Sequence, residues 1–190
     1  MDRKKLIIDT DCGSDDAVAI AMVLNDPNFE VIMCTTVSGN VNCKQAAINT
    51  LTTIEHAGTY EPPVYMGAID MLLRDMQYAA ETHGEDGMGD VGLVPHRLKI
   101  GEGNGVIRML EALKAQRRFV EISRTEADCR EEFYFGRIRE TTERAVTLDI
   151  FDELGGWTDE PLRIPYEKIG TVAFGMRTLE LLGRYAGEAE

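Results

Sequence analysis

The sequence is poor in the features that mark several large classes of protein. It holds 20 basic against 33 acidic residues in a chain of 190, which gives a formal net charge of −13. Nucleic acids and anionic membranes are bound through clustered Lys and Arg, so this balance argues against both. No apolar run approaches the roughly 20 residues that a membrane-spanning helix needs. The sequence therefore predicts neither nucleic acid nor a membrane as a partner.

Closely spaced cysteines are also missing. Cys12, Cys34, Cys43 and Cys129 form no CxxC pair, and structural zinc sites and redox pairs depend on such spacing. Disulfides persist mainly in oxidising compartments. We therefore expect free thiols and a reducing, cytoplasmic location.

Aspartate, in contrast, is crowded into one short segment. Residues 6–17 read LIIDTDCGSDDA, so Asp9, Asp11, Asp15 and Asp16 directly follow an apolar run. Carboxylates this close repel one another unless a cation lies among them or their pKa values move apart. The segment therefore predicts a chemical role as well as a structural one.

Strand and helix patterns alternate in the first part of the chain. Three apolar segments have the composition of buried strands: KKLIID (4–9), FEVIMCTTV (29–37) and PPVYMG (62–67). Helices are predicted over 15–24, 42–58 and 104–116, with a polar, Gly-rich loop region at 74–102. Continuous apolar strands that alternate with helices are typical of a parallel sheet. Residues 1–115 are thus predicted to form a partial Rossmann-like α/β domain.

The pattern changes from Phe119 onwards, where short runs with period-two alternation are separated by turn residues. Such runs predict a small antiparallel β-barrel over 116–190. A short amphipathic helix at 178–186 is predicted as the last element of the chain. A leading helix, five strands and a Gly in the long second strand (Gly136) resemble the Sm-like or SH3-like small barrels. The RNA-contacting elements of the Sm family are not evident, so a structural or oligomerising barrel is expected.

Three chemistries are compatible with the aspartate cluster. Hard carboxylate oxygens suit a Ca²⁺ or Mg²⁺ ion. A phosphatase of the haloacid dehalogenase type would use Asp9 as nucleophile and Asp11 as acid or base. The third possibility is structural: Asp15 and Asp16 favour a helix N-terminus through its dipole. Gly13 permits a tight turn that would bring the flanking carboxylates together.

Three motifs in order distinguish between these possibilities. The segment IIDTDCGSDDAVAI resembles the opening motif DxDxGxDDAxA of the inosine–uridine nucleoside hydrolases, with Cys12 where that family usually has Pro. TTVSGN (35–40) and HGEDGMGD (83–90) resemble two further motifs of the family. The dehalogenase alternative is weaker, because that family has a Thr soon after its DxD.

The resemblance implies hydrolysis of a ribonucleoside by a water molecule that a Ca²⁺ ion holds beside the anomeric carbon. Asp11 would match the carboxylate that ligates Ca²⁺ and accepts the proton of the water. Asp16 would match a bidentate Ca²⁺ ligand, and Asp9 would support the cluster. The transition state resembles an oxocarbenium ion, which neighbouring carboxylates stabilise.

The resemblance also implies substrate-binding residues. Asp15 would bind the ribose hydroxyls, and Asn40 would reach the ribose or the ion from the end of the second strand. His83, between glycines in the third motif, would belong to a flap over the nucleoside. The expected small-molecule partner is therefore a ribonucleoside or another ribose-containing compound.

The resemblance covers about residues 4–112, whereas members of the family are much longer. Their remaining part supplies further Ca²⁺ ligands and a leaving-group His, so impaired turnover is expected here. The alternative is a catalytically inactive protein that acts as a ligand-binding or oligomerising module. An uncovered sheet edge and a small barrel both favour association, and a homo-oligomer, most simply a dimer, is predicted.

Overall fold

The chain divides into two compact units, Met1–Arg108 and Met109–Glu190. The predicted boundary after residue 115 differs from this division, which falls inside a helix. The structure is a computed structural model that describes residues 3–70, 75–125, 130–152 and 156–185. Within these stretches, no helix combines the length and the apolar character needed to cross a membrane.

The first unit alternates strands and helices, as predicted. Its elements are β1 (Lys4–Thr10), α1 (Ser14–Asn25), β2 (Phe29–Thr36), α2 (Cys43–Ala57), β3 (Val64–Met66), the short α3 (Ala80–His83) and the start of α4 (Gly105–Ala115). The strands form a parallel sheet in the order β1-β2-β3. The parallel α/β arrangement is therefore confirmed, and α3 is an addition inside the segment predicted as loop.

Local sequence explains where α2 begins and ends. The side chain of Asn42 accepts a hydrogen bond from the backbone N–H of Gln45 at 3.0 Å, which caps the first turn. Gly58 follows the last turn with φ +64, a left-handed conformation that glycine adopts without strain. Between the caps, Ala46 and Ala47 are fully buried. Their small side chains let the helix backbone lie close to its neighbours in the core.

The cysteines of the first unit are core residues. Cys12, Cys34 and Cys43 are buried free thiols, whereas Cys129 lies outside the described residues. Burial raises the pKa of Cys34 to about 12, so this thiol is protonated at neutral pH. The prediction of free thiols is confirmed for these three.

A carboxylate on α2 anchors the loop that follows the site region. Glu55 accepts hydrogen bonds from the backbone N–H groups of Leu98 (2.6 Å), His96 (2.7 Å) and Arg97 (2.8 Å). These bonds, led by those from Leu98 and His96, lower the pKa of Glu55 from 4.5 to about 2. Arg97 also forms an ion pair with Glu61. The loop is thus attached to the helix mainly through one ionised side chain.

The second unit contains an antiparallel sheet of five strands. Its elements are the rest of α4, β4 (Phe119–Thr125), β5 (Glu131–Thr141), β6 (Ala145–Phe151), β7 (Leu162–Pro165), a 3₁₀ turn (Tyr166–Lys168), β8 (Ile169–Phe174) and α5 (Arg177–Tyr185). The strand order is β7-β6-β5-β4-β8. Among the described residues β7 and β8 each have one neighbour, so the closure of an Sm-like or SH3-like barrel is not confirmed.

One face of this sheet is buried. Alternate residues along the strands, among them Val120 and Ile122 of β4 and Val146 and Leu148 of β6, are fully covered. Period-two alternation of this kind is what the sequence predicted. Gly136 lies in β5, where a Cβ atom would overlap the backbone of β6. The glycine in the long strand therefore permits the close approach of two strands.

The Glu55 anchor predicts a specific pH dependence of stability. A folded-state pKa of about 2 lies below the unfolded value, so the stabilisation is complete above about pH 4.5 and disappears as the pH falls through 2. We expect Glu55→Gln to lower the Tm at pH 7, and the gap to the parent protein to narrow from pH 4.5 towards pH 2. Thermal melts followed by circular dichroism measure this.

Glu102→Gln is the matched control, because Glu102 is exposed and its side chain has no hydrogen-bond or ionic partner in the described stretches. Its Tm should follow that of the parent protein at every pH. A Glu55→Gln gap that stays constant down to pH 2 would contradict the proposed anchor.

Candidate active site

The predicted site residues gather at the carboxyl ends of β1 and β2. The two strands are paired in parallel, with Asp9 opposite Thr35 and Thr10 opposite Thr36. The pairing continues past the strand ends, where the backbone N–H of Val37 donates to the carbonyl of Thr10 at 3.1 Å. The turn after β1 and the loop after β2 therefore lie side by side, at the edge where parallel sheets commonly bind ligands.

Asp11 is oriented by the loop after β2. Its Oδ2 accepts a hydrogen bond from the backbone N–H of Asn40 at 2.7 Å. Gly39 makes this approach possible, because a Cβ atom at that position would overlap the carboxylate of Asp11. In the described stretches, no donor contacts the other carboxylate oxygen, so one face of Asp11 is available to a ligand.

Asp16 approaches the same asparagine from the first turn of α1. Its Oδ2 accepts from the backbone N–H of Gly13 at 3.0 Å and lies 3.5 Å from Nδ2 of Asn40. Gly13 is the N-cap residue of α1, so Asp16 also completes the capping of the helix. Asp11, in the turn after β1, and Asp16, in the first turn of α1, thus both contact Asn40 in the loop after β2.

Asp15 and His83 form the outer part of the site. Nδ1 of His83 lies 3.9 Å from Oδ1 of Asp15 and 3.1 Å from Oγ of Ser14. The Asp15 side chain is 78% exposed, whereas that of His83 is 14% exposed. A Cβ atom on Gly13 would lie within 3.1 Å of both side chains and within 2.8 Å of Nδ2 of Asn40. The turn at Gly13 is therefore the point on which the site residues converge.

Asp9 lies one step back from these groups, on the last part of β1. Its Oδ1 accepts a hydrogen bond from Oγ1 of Thr35 at 2.6 Å. The surrounding protein desolvates the carboxyl group and raises its pKa, and the Thr35 hydrogen bond opposes this rise. The residue as a whole is nevertheless exposed, so its carboxyl group is desolvated only in part. Asp9 thus belongs to the same cluster but has its own partner.

Sequence analysis missed Asn49, which joins the first and third motifs. This fully buried residue of α2 donates through Nδ2 to the carbonyls of Cys12 (3.0 Å) and Asp86 (2.8 Å), and its Oδ1 accepts from Gln45 (2.9 Å). An amide on the buried face of a predicted helix was the signal that could have identified Asn49.

The backbone at Cys12 is compatible with the departure from proline at this position. Cys12 has φ +22, which the ring of a proline could not adopt.

The third motif is a tightly hydrogen-bonded loop. Asp86 accepts from the backbone N–H groups of Met88 (2.7 Å), Asp90 (2.8 Å) and Gly92 (2.9 Å). The bond from Gly92 leads the effects that lower the pKa of Asp86. Asp90 in turn accepts from the N–H of Glu85 at 2.7 Å. The loop that carries His83 is thus fixed by its own carboxylates.

The oxygen atoms at the site are of the kind that binds a hard divalent cation, but few side chains provide them. Asp11 and Asp16 offer carboxylate oxygens, which Ca²⁺ prefers. No group of three His, Cys, Asp or Glu residues in the described stretches is arranged to hold a metal ion. The described residues therefore offer two carboxylates and no complete coordination shell.

Known proteins with similar sequences share the region that carries this site. The sequence model described as "Inosine-uridine preferring nucleoside hydrolase" matches residues 6–134, which is further than the three motifs reach. A probable uridine nucleosidase 2 from Arabidopsis thaliana is 42% identical over 115 residues, which are 60% of this chain and 36% of that protein. The inosine-uridine preferring nucleoside hydrolase of Leishmania major is 34% identical over 56% of this chain and 34% of that protein.

Solved structures give the same result. A purine-preferring ribonucleoside hydrolase from Gardnerella vaginalis superimposes with a TM-score of 0.55 and 33% identity, over 58% of this chain and 36% of that one. The chain spans about a third of the length of the relatives that it matches. Because the family model covers more than half of its residues, the chain belongs to the inosine–uridine preferring nucleoside hydrolase family.

Proposed function

We propose that the chain binds a ribonucleoside at the Gly13 turn and hydrolyses its N-glycosidic bond. The observation that carries this proposal is the contact of Asp11 and Asp16 with Asn40, which belongs to the loop after the neighbouring strand. A sugar that develops positive charge in the transition state is stabilised by such carboxylates. The similarity to a probable uridine nucleosidase and to a nucleoside hydrolase supports the same reaction.

Asp11 is the proposed general base. The Asn40 N–H holds Oδ2 at 2.7 Å, so the other oxygen can accept a proton from an attacking water. A base contributes to catalysis only when it lies within hydrogen-bond reach of the proton that it accepts. The backbone donor fixes the position of that oxygen.

Asp11 and Asp16 are also the proposed ligands of a Ca²⁺ ion. When bound, the ion would lower the pKa of a coordinated water and orient it. Asp9 would support the cluster from β1 through its bond with Thr35. With two carboxylates supplied by the described residues, we expect weaker Ca²⁺ binding than in the longer relatives.

Asp15, Asn40 and His83 are the proposed substrate-binding residues. Asp15 is largely exposed, so its carboxylate can accept hydrogen bonds from ribose hydroxyls. The imidazole of His83 lies beside it and would cover the bound nucleoside. Asn40 can reach the ribose or the ion because its amide already lies 3.5 Å from Asp16.

A catalytically inactive, ligand-binding or oligomerising module is the second candidate. It is favoured by the absence, in the described stretches, of a third metal-binding side chain beside Asp11 and Asp16. The chain also spans only about a third of its relatives. Binding and turnover are therefore to be measured separately.

We also propose a homodimer with a cytoplasmic location, in which residues 1–115 form the ligand-binding domain and 116–190 an Sm-like or SH3-like domain that helps assembly. An exposed apolar surface of the first unit supports association: Val18 and Met22 of α1 are 61% and 69% exposed. Isologous contacts between two copies are the commonest way to cover such a surface.

Calcium binding has a direct test. Calorimetric titration with CaCl₂ should give a saturable heat that the double variant Asp11→Asn, Asp16→Asn abolishes, because both charged ligands are lost. Asp26→Asn is the matched control, since Asp26 follows the opposite end of α1. Equal heats for the parent protein and the double variant would exclude these two residues as ligands.

Turnover is tested by reducing-sugar release from inosine, uridine and a nitrophenyl riboside. We expect slow release that requires Ca²⁺, and a fall of about 100-fold or more in Asp11→Asn, the usual contribution of a general base. Asp26→Asn should keep the parent rate.

Release that Asp11→Asn leaves unchanged would contradict the proposed base. Ligand binding without release, from any of the three compounds, would favour the inactive module.

The assembly state is tested by light scattering coupled to size exclusion. We expect a mass of twice the chain mass of 21.2 kDa, and a shift towards the single chain in Met22→Glu, which places a charge on the apolar face of α1. A mass of one chain at all concentrations would contradict the dimer.

A further inference from the structure

The second unit contains a pocket rich in arginine. It has a volume of about 450 Å³, which is within the range of small-molecule sites, and it lies between the end of α4, β4, β5 and α5. Arg117, Arg118 and Arg137 line it, with Glu180 as the one acidic residue. Three positive charges in one recess are unusual in a chain with a net charge of −13.

Arg137 is held in place, and among the described residues it has no anionic partner. Its guanidinium carbon lies 4.5 Å from the centre of the Phe119 ring and 5.6 Å from that of Trp157. Its Nε is buried and has no hydrogen-bond partner in the described stretches. Asp149 is its cross-strand neighbour, but it pairs at 2.6 Å with Arg139 instead. The aromatic rings therefore fix the cation, and no carboxylate of the described residues neutralises it.

Arg117 stands where a glycine would be favoured. It follows α4 with φ +49, the left-handed conformation that ends many helices and that is strained for other residues. Its side chain has no hydrogen-bond or ionic partner among the described residues. Arg118 has one weak contact, 3.6 Å from Glu180. Neighbouring carboxylates therefore leave most of the charge in the pocket uncompensated.

From this geometry we propose that the pocket binds a small molecule that carries a phosphate dianion. Arginine presents planar N–H donors that match phosphate oxygens, and among the described residues neither Arg117 nor Arg137 has an anionic partner that would compete. A nucleic acid is less favourable, because residues 116–190 hold 16 acidic against 11 basic residues and would repel a long polyanion. The proposal does not depend on the hydrolase site.

Calorimetry on the full chain tests this assignment, with inorganic phosphate and glycerol 3-phosphate as probes and glycerol as the uncharged control; none of these contains the ribose that the proposed hydrolase site would bind. Saturable binding of at least one phosphate compound, and none of glycerol, is expected at constant ionic strength. Arg137→Gln should weaken that binding at least tenfold. Arg163→Gln is the matched control in the same unit, because Arg163 is exposed on β7 and does not line the pocket, and it should bind as the parent protein does.

Arg117→Gly separates a binding role from a structural one. Glycine relieves the left-handed strain, so the Tm without phosphate should rise by about 2–4 °C. The same variant should bind phosphate at least tenfold more weakly. A merely structural arginine would not combine a gain in stability with a loss of affinity.

Three results would overturn the proposal. One is no saturable heat with either phosphate compound, and another is equal affinity in Arg117→Gly, Arg137→Gln and Arg163→Gln. The third is tighter binding of a single-stranded RNA oligonucleotide that displaces glycerol 3-phosphate, which would assign the pocket to nucleic acid.

Discussion

The hydrogen bond from the Asn40 backbone to Asp11 is the constraint on which the candidate active site depends. It joins the turn after β1 to the loop after β2, at 2.7 Å, and it requires the open space above Gly39. The parallel pairing of the strands brings the two segments together, and the bond from Val37 to Thr10 extends that pairing. A backbone donor fixes the position of the carboxylate but carries no full charge. A Lys or Arg in its place would neutralise the carboxylate. The site therefore keeps negative charge available for a cation or for a developing oxocarbenium ion.

The four crowded aspartates coexist because each has a different environment. Asp9 accepts from a threonine hydroxyl and is partly desolvated, which raises its pKa. Asp11 and Asp16 accept from the backbone N–H groups of Asn40 and Gly13, which hold the two carboxylates in separate positions. Asp15 lies mostly in solvent, where repulsion is screened. The repulsion that the sequence suggested is thus distributed among a partly desolvated group, two hydrogen-bonded groups and a hydrated one, before any metal ion is considered.

Periodicity and motif spacing predicted the parallel strands, the main helices and the segments that carry the site. They could not predict Asn49, because its two bonds, to the carbonyls of Cys12 and Asp86, join segments that are distant in sequence. They also could not predict the arginine pocket, since Arg117 and Arg137 come together only through the pairing of β4 and β5. Closure of the second sheet depends on how its edge strands curve, and alternation along a strand carries no such information.

The hydrogen bonds that orient Asp11 and Asp16 lie within the first unit. The requirements for placing these carboxylates therefore differ from the requirements for turnover. Gly13 and Asn40 provide every donor to these two carboxylates in the described stretches. Their geometry therefore does not require the additional chain that the longer relatives possess. Catalysis asks for more, because a metal ion and a water must be held to within a fraction of an ångström, and two ligands constrain an ion much less than a full shell does. Under the proposed function, the described residues would therefore bind ribose but would hold the ion and the water less rigidly.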